Sequence, residues 1–217
     1  MRRTFATLLV ATFALLAARS VPAADLNLGV TDMAGNPVER SVVWLTPVTG
    51  KLPAAPVRPA VVDQQQRRFV PLVTVIQTGS KVEFPNSDNI RHSVYSFSPA
   101  RTFTLKLYSG KPSAPVDFDK PGVIALGCNI HDQMAAWIAV VDSAWFAQSD
   151  AAGKLAIRSV PEGSYLLGIW HPGIKSDVPT RALTVKAANE VLNLQIDTVP
   201  IQSLLPDTEG HRPADHH

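Results

Sequence analysis

The chain has 217 residues, 46% of them hydrophobic and 18% charged, and carries a formal net charge of +2 at pH 7. This length suits one large domain or two small ones. It holds no tract rich in lysine and arginine, so nothing in the sequence supports a nucleic-acid partner.

The first residues have the pattern of an export signal. Arg2 and Arg3 form a basic n-region, residues 5–18 are an apolar run, and a small-residue cleavage site ends at Ala23. We therefore predict a signal peptide over residues 1–23 and a periplasmic location. The apolar run is short for a membrane-spanning helix, so we expect no stable membrane anchor.

Removal of that segment changes the charge of the protein. It takes away three arginines and no acid, so the formal charge falls from +2 to −1. The mature protein is close to neutral, and its overall charge gives no signal that would steer a partner.

Alternating apolar residues and frequent turn signals predict strands throughout the mature chain, and no long amphipathic helix is evident. The expected fold class is therefore all-β. In chain order we predict two strands within residues 25–48, strands over 69–76, 82–84, 93–97, 103–107, 116–118, 122–127 and 137–141, a hairpin over 146–157, and strands over 165–170, 183–185 and 191–196.

Cys128 is the one cysteine of the chain, so no internal disulfide is available. Export leads to an oxidising compartment, where a free thiol is exposed to oxidation. Binding a metal as thiolate explains such a thiol, and deep burial as a small hydrophobic residue is the alternative. Taken alone, a single cysteine favours burial.

A group of potential metal ligands surrounds this cysteine. Cys128, His131 and Met134 recur at three-residue intervals after the apolar run 122–126, where a strand should end. A second imidazole, His92, lies upstream at the start of another predicted strand. Two histidines, one cysteine and a weak axial methionine form the ligand set of a blue-copper electron-transfer centre. A lone Cys-x-x-His would be weak evidence, and the added donors make it strong.

The middle of the chain resembles the cupredoxins. Residues 79–88 followed by His92 are similar to the segment that brings the first ligand, and residues 118–134 are similar to the ligand loop. The Cys-x-x-His-x-x-Met spacing is closest to that of amicyanin. Residues 60–175 resemble bacterial cupredoxin-domain proteins labelled methylamine-utilisation proteins, most closely at 91–99 and 127–132.

This resemblance implies a Greek-key β-sandwich that binds one copper ion, cycling between Cu(I) and Cu(II). The implied metal ligands are His92, Cys128, His131 and Met134. The partner would be a redox protein, whose identity the sequence does not give. No separate catalytic or organic-cofactor site is predicted.

The flanks resemble a different module, the carboxypeptidase-regulatory-like, transthyretin-type β-sandwich. Residues 29–38 are similar to its first half and residues 150–165 to its second. The C-terminal segment alone would make a marginal core because it has only about fifty residues. We therefore predict a cupredoxin inserted into a second sandwich, while direct packing of the N-terminal strands on the cupredoxin is the simpler alternative. The predicted boundaries are 24–50 and 143–197 for the two parts of the second sandwich, 51–59 for a linker, 60–142 for the cupredoxin, and 198–217 for a disordered tail.

Some further residues are expected to surround the site or to lie outside it. Backbone N–H groups near Ser93 and Ile130 are expected to point at the Cys128 sulfur. His171 is expected to be structural, and the tail histidines at 211, 216 and 217 are expected to be solvated. Partner docking is expected at the apolar rim around His131, which includes Ile130 and Ala135.

The leading functional hypothesis is a periplasmic carrier of one electron at copper. A copper trafficking or storage protein is the alternative, and a structural β-protein with a vestigial site is a third. The sequence contains no nucleophile–base pair and no phosphate-binding glycine loop, so we predict that it is not an enzyme.

Overall fold

The computed structural model describes residues 23–50, 58–112, 114–175, 180–186 and 188–205. Outside these ranges lie residues 1–22 of the predicted signal peptide, residues 51–57 of the predicted linker, and the tail histidines. The described residues form seventeen strands and one 3-10 helix, η1. These are β1 (Ala23–Thr31), β2 (Val42–Pro47), β3 (Ala60–Val61), β4 (Asp63–Gln65), β5 (Arg68–Val70), β6 (Val73–Gln77), β7 (Ser80–Glu83), β8 (His92–Ser98), β9 (Arg101–Tyr108), β10 (Val116–Phe118), β11 (Gly122–Gly127), β12 (Ala135–Val141), β13 (Trp145–Gln148), β14 (Lys154–Pro161), β15 (Gly163–Trp170), β16 (Arg181–Val185), β17 (Glu190–Gln195) and η1 (Ile201–Leu204).

The strands form two β-sandwiches, which confirms the predicted all-β fold class. In the middle sandwich a five-stranded sheet of order β6-β12-β11-β8-β9 faces a three-stranded sheet of order β10-β7-β3, and the hairpin β4-β5 stands beside them. Both sheets contribute to one apolar core, in which Val82, Phe118, Ile124 and Ile138 are almost fully buried. This sandwich carries all four predicted metal ligands.

The terminal sandwich combines strands from the two ends of the chain. β1 pairs antiparallel with β14 and parallel with β17, while β2 lies between β13 and β15. Leu26, Leu28 and Val30 alternate along β1 and are each no more than 2% exposed, as the period of two residues in a strand requires. Both N-terminal strands thus pair with C-terminal strands. This pairing supports our proposal that the middle sandwich is inserted between the halves of the terminal one.

The two sandwiches meet at a cluster that we call the interface cluster. It contains buried Val42, Val73, Ala139, Val141 and Ile201, against which half-buried aromatic residues pack, namely Trp44, Trp137, Phe146 and Trp170. Strand β12 is buried on both faces, because Ala136, Ile138 and Val140 point into the core of the middle sandwich. A strand covered on both sides needs an almost continuous apolar run, and β12 has one.

Two details differ from the sequence prediction. The expected hairpin over residues 146–157 is wrong as a pairing, because β13 pairs with β2 and β14 pairs with β1 in the opposite sheet. The tail predicted from residue 198 begins too early. Ile201, the first residue of η1, is only 3% exposed. Its apolar side chain packs into the interface cluster and covers the junction of the two sandwiches.

Among the described residues, no helix is long and apolar enough to cross a membrane.

His171 has a structural role, as predicted. It is buried, its Nδ1 accepts a hydrogen bond from Gly173 N–H (3.1 Å), and that nitrogen lies 2.8 Å from Thr198 Oγ1. Burial lowers the pKa of His171 from 6.5 to about 4, although a hydrogen bond to the backbone of Glu39 acts in the opposite direction. The neutral ring therefore ties β15 to the segment before η1.

Substitution of His171 should change how stability depends on pH. Between pH 6.5 and 4 the unfolded chain binds a proton at this histidine and the folded chain does not. The wild type therefore loses stability as the pH falls through this window, by on the order of 3 kcal/mol at most. His171→Gln should be less stable at pH 7, and the gap to wild type should narrow towards pH 4. Urea unfolding of the copper-free proteins measures this gap, and a gap that stays constant would contradict the assignment.

Candidate metal centre

The candidate site lies where β11 ends beside β8. Gly127, the last residue of β11, is paired with Tyr95 of β8, so the next residue, Cys128, lies close to the start of that strand. A Cβ atom at Gly127 would lie 2.6 Å from the Tyr95 ring, so the glycine lets this ring pack closely against the end of β11. The loop after Cys128 then turns through His131 and Met134 into β12.

Three of the four predicted ligands come together. The ligand atoms of His92, Cys128 and His131 all lie within 4.8 Å of one another. Cys128 Sγ is 3.9 Å from His92 Nδ1, and the two imidazole rings meet edge to face with centroids 4.9 Å apart. His92 is 0% exposed and Cys128 is 3% exposed, whereas His131 is half-buried. The pocket therefore opens to solvent on the His131 side.

Met134 is 1% exposed and packs in the same apolar cluster as Cys128. Its backbone N–H donates to the His131 carbonyl (3.0 Å), which closes the ligand loop into a tight turn. Its role as an axial ligand stays a prediction.

His92 is held in one orientation by Asp88. Its Nε2 lies 2.7 Å from Asp88 Oδ2. A carboxylate at this distance keeps the ring proton on Nε2, so the Nδ1 lone pair is free and faces the Cys128 sulfur. Sequence reasoning missed this contact, although the four-residue spacing from Asp88 to His92 was available as a signal.

Asp88 is itself fixed by the turn of the β4-β5 hairpin. Its two oxygens accept hydrogen bonds from Gln66 N–H (2.6 Å) and Arg67 N–H (2.9 Å). Both turn residues have a positive φ, near 55°, which aims their N–H groups at the carboxylate. Partial burial acts to raise the pKa of Asp88, but the hydrogen bonds from Arg67, His92 and Gln66 outweigh it and hold this pKa below its ordinary value.

The loop before His92 is ordered by hydrogen bonds of polar side chains. The Asn86 side-chain amide donates to the carbonyls of Ile90 (2.9 Å) and Tyr108 (2.8 Å), and its Oδ1 accepts from Asp88 N–H. Asp63 accepts from the N–H and the hydroxyl of Ser87. These bonds fix both ends of the loop that presents Asp88 and His92.

Ser93 connects the two ligand-bearing segments. It is 1% exposed. Its hydroxyl donates a hydrogen bond to Cys128 Sγ (3.7 Å), and the hydroxyl oxygen accepts a hydrogen bond from Asn129 N–H (2.9 Å). The β8-β9 register is irregular between His92 and Val94, and such bulges re-aim side chains next to sites. The expected sulfur donors were backbone N–H groups. Among the described residues, the side chain of Ser93 makes this contact instead.

His131 completes the set with an unpartnered nitrogen. Its Nδ1 is buried and has no hydrogen-bond partner among the described residues. Burial lowers the pKa of His131, and the nearby charges of His92 and Arg67 lower it further. A neutral imidazole with a buried lone pair is the form that binds a metal ion.

The residues present fit a copper ion. With the bond lengths that zinc has to the same donors, about 2.1 Å to nitrogen and 2.3 Å to sulfur, two ligands 120° apart lie about 3.8 Å from each other, close to the 3.9 Å between Cys128 Sγ and His92 Nδ1. One thiolate, two imidazoles and a nearby thioether offer both the soft donors that Cu(I) prefers and the imidazoles that suit Cu(II).

No family model and no curated protein matches the chain. Among solved structures, it is similar to a copper-containing nitrite reductase from Thermus scotoductus SA-01, with 26% identity over 44% of this chain and 25% of that one and a TM-score of 0.37. It is similar to a purple cupredoxin from Nitrosopumilus maritimus, with 18% identity over 38% of this chain and 99% of that one and a TM-score of 0.34.

A third similar structure is a pseudoazurin from Methylobacterium extorquens AM1, with 23% identity over 40% of this chain and 77% of that one and a TM-score of 0.34. The matched part spans a quarter of the nitrite reductase chain. The amicyanin-like loop spacing and the likeness of the flanks stay predictions.

Ser93→Ala should affect both stability and the metal centre. It removes the acceptor of the Asn129 N–H, which should lower the free energy of unfolding by about 1 kcal/mol. It also removes a donor from the thiolate, so the copper-loaded variant should have a lower reduction potential. Ser96→Ala is the control, since the Ser96 hydroxyl is buried on the same strand but accepts only from Ser98 N–H. Equal potentials in the two variants would contradict the assignment.

Asp88→Asn should weaken copper binding about 10- to 100-fold, as is typical when a group that orients a histidine ligand is changed. Loss of its negative charge should also raise the reduction potential, because less charge then stabilises Cu(II). Asp63→Asn is the matched control, because Asp63 orders the same loop without touching a ligand. Competition with a chelator measures the affinity, and equal losses in both variants would show that Asp88 acts only on the fold.

Proposed function

We propose that the protein is a periplasmic blue-copper protein of the cupredoxin type, which binds one copper ion and transfers one electron at a time. The observation that carries this proposal is the convergence of a buried thiol and two imidazoles within 4.8 Å of one another. The near absence of exposure at Cys128 and His92 supports it.

In this proposal His92 Nδ1, Cys128 Sγ, His131 Nδ1 and the Met134 thioether would hold the ion. Bound copper would supply a one-electron couple between Cu(I) and Cu(II). These four donors leave no position for a substrate, so the protein acts as a carrier and not as an enzyme.

The chain contributes rigidity and shielding. Asp88 fixes the ring of His92, Ser93 fixes the start of the ligand loop, and the core of the middle sandwich holds Met134. Because donors held in this way move little between oxidation states, the reorganisation that accompanies electron transfer is small. The half-buried edge of His131 gives the electron its shortest route to the surface.

The alternative of copper trafficking requires ready exchange of the ion. Two donors, His92 and Cys128, are buried, and each is held by a hydrogen bond, to Asp88 and to Ser93 respectively. This arrangement favours retention of the ion. A carrier would keep its copper against a competing chelator for hours while cycling reversibly, whereas a trafficking protein would release it to the chelator.

Copper titration tests the proposal directly. The mature protein should bind one copper ion per chain, turn intensely blue or green, and give an EPR spectrum with narrow copper hyperfine splitting. These features arise from a thiolate bond to Cu(II), so Cys128→Ser should abolish both.

His171→Gln is the control, because it removes a buried histidine that lies outside the site and should leave the colour unchanged. A colourless wild-type complex with an ordinary tetragonal spectrum would refute the carrier function. Reversible colour with rapid loss of copper to a chelator would favour trafficking.

A further inference from the structure

The rim of the candidate metal centre carries three exposed arginines, Arg67, Arg68 and Arg91, which we call the arginine rim. None of them forms an ion pair with another described residue. Some cations elsewhere do form ion pairs, as Arg158 does with Asp25 and Lys175 does with Asp197. The charge of the rim is therefore available to a partner.

Each arginine lies on a segment that forms the site. Arg67 is in the β4-β5 turn, and its N–H donates to the same Asp88 oxygen that binds His92. Arg91 directly precedes His92 in the chain.

Arg68 lines a groove beside the ligand loop. The other walls of this groove include Leu72, Gln133, Ala135 and Leu205. The groove offers apolar surface between a cation and the loop that contains His131.

The acids of the same segments offer fewer free groups to a partner than the arginines do. The carboxylates of Asp63 and Asp88 are half-buried, and their oxygens already accept hydrogen bonds from within the protein. Asp132 is the exposed acid of the ligand loop. The segments that form the site therefore expose three arginines and one aspartate, although the mature chain is close to neutral overall.

Resting on the proposed function, we propose that the arginine rim docks the acidic surface of a redox partner protein over His131. Guanidinium groups bind carboxylates with two parallel hydrogen bonds, and arginine is enriched at protein interfaces where lysine is depleted. Complementary charge accelerates encounter and fixes orientation. The exposed side chain of Ile130, which is 47% exposed, supplies apolar contact at the centre of the docking surface.

The first test compares two small oxidants of the reduced, copper-loaded protein, anionic hexacyanoferrate(III) and cationic tris(phenanthroline)cobalt(III). Each accepts one electron from Cu(I). The rim variant Arg67→Asn/Arg68→Gln/Arg91→Gln should lower the ratio of the anionic to the cationic rate constant about tenfold. Asparagine tolerates the positive φ at position 67, and the backbone bond to Asp88 is kept. A change in the reduction potential of the copper would alter the driving force for both oxidants alike, so it would leave the ratio of the two rate constants unchanged.

The control variant removes three cations from the terminal sandwich, Lys154→Gln/Arg181→Gln/Lys186→Gln, and so makes the same change in net charge. It should leave the ratio close to that of the wild type. An equal fall in both triple variants, or no fall in the rim variant, would overturn the proposal.

The second test needs no copper and therefore separates this inference from the proposed function. The acidic peptide poly-L-glutamate should bind the copper-free wild type and the control variant, as measured by titration calorimetry, and should bind the rim variant at least tenfold more weakly. Equal binding by all three proteins would overturn the proposal. A chain that ends at Leu205 should bind poly-L-glutamate as the full chain does. If it binds tenfold more tightly, the acidic C-terminal residues compete for the rim and the partner assignment is overturned.

Discussion

The contact between Asp88 and His92 is the constraint on which the candidate site depends. A buried imidazole can present either nitrogen to a metal, and the carboxylate at Nε2 decides that Nδ1 faces Cys128. The carboxylate is in turn held by two N–H groups of a hairpin turn, and the loop that carries it is held by Asn86 and Asp63. The position of one ligand is thus determined by a hydrogen-bonded network that reaches well outside the ligand set.

The core strand β12 joins this network to the rest of the molecule. One of its faces packs under the ligand loop and the other packs against tryptophans of the terminal sandwich. The interface cluster therefore supports the strand into which Met134 leads. This arrangement makes the terminal sandwich a support for the middle one, and not merely a neighbour.

Much of this organisation could be predicted from the sequence, because it is encoded in local patterns. Alternation at Leu26, Leu28 and Val30 predicted β1, and the spacing of Cys128, His131 and Met134 predicted a ligand loop after a strand. The pairing of β13 and β14 could not be predicted, since adjacent strands form a hairpin in most folds and only the packing of two sheets separates them here. The contacts of Ser93 and Asp88 were missed because they depend on side-chain orientations at an irregular register and a distant turn. The arginine rim is invisible in the net charge, and it emerges only when the exposed arginines are located on the segments that form the site.

The pairing of β1 with β14 and β17 also determines the order in which the chain can fold. The partners of β1 are more than a hundred residues away in the sequence, whereas the strands of the middle sandwich pair within residues 60–141. The middle sandwich can therefore form while β1 and β2 still lack partners, because contacts between distant segments form slowly. Until β14 and β17 pair with β1, the two N-terminal strands are unpaired edges, and unpaired edges are prone to aggregation.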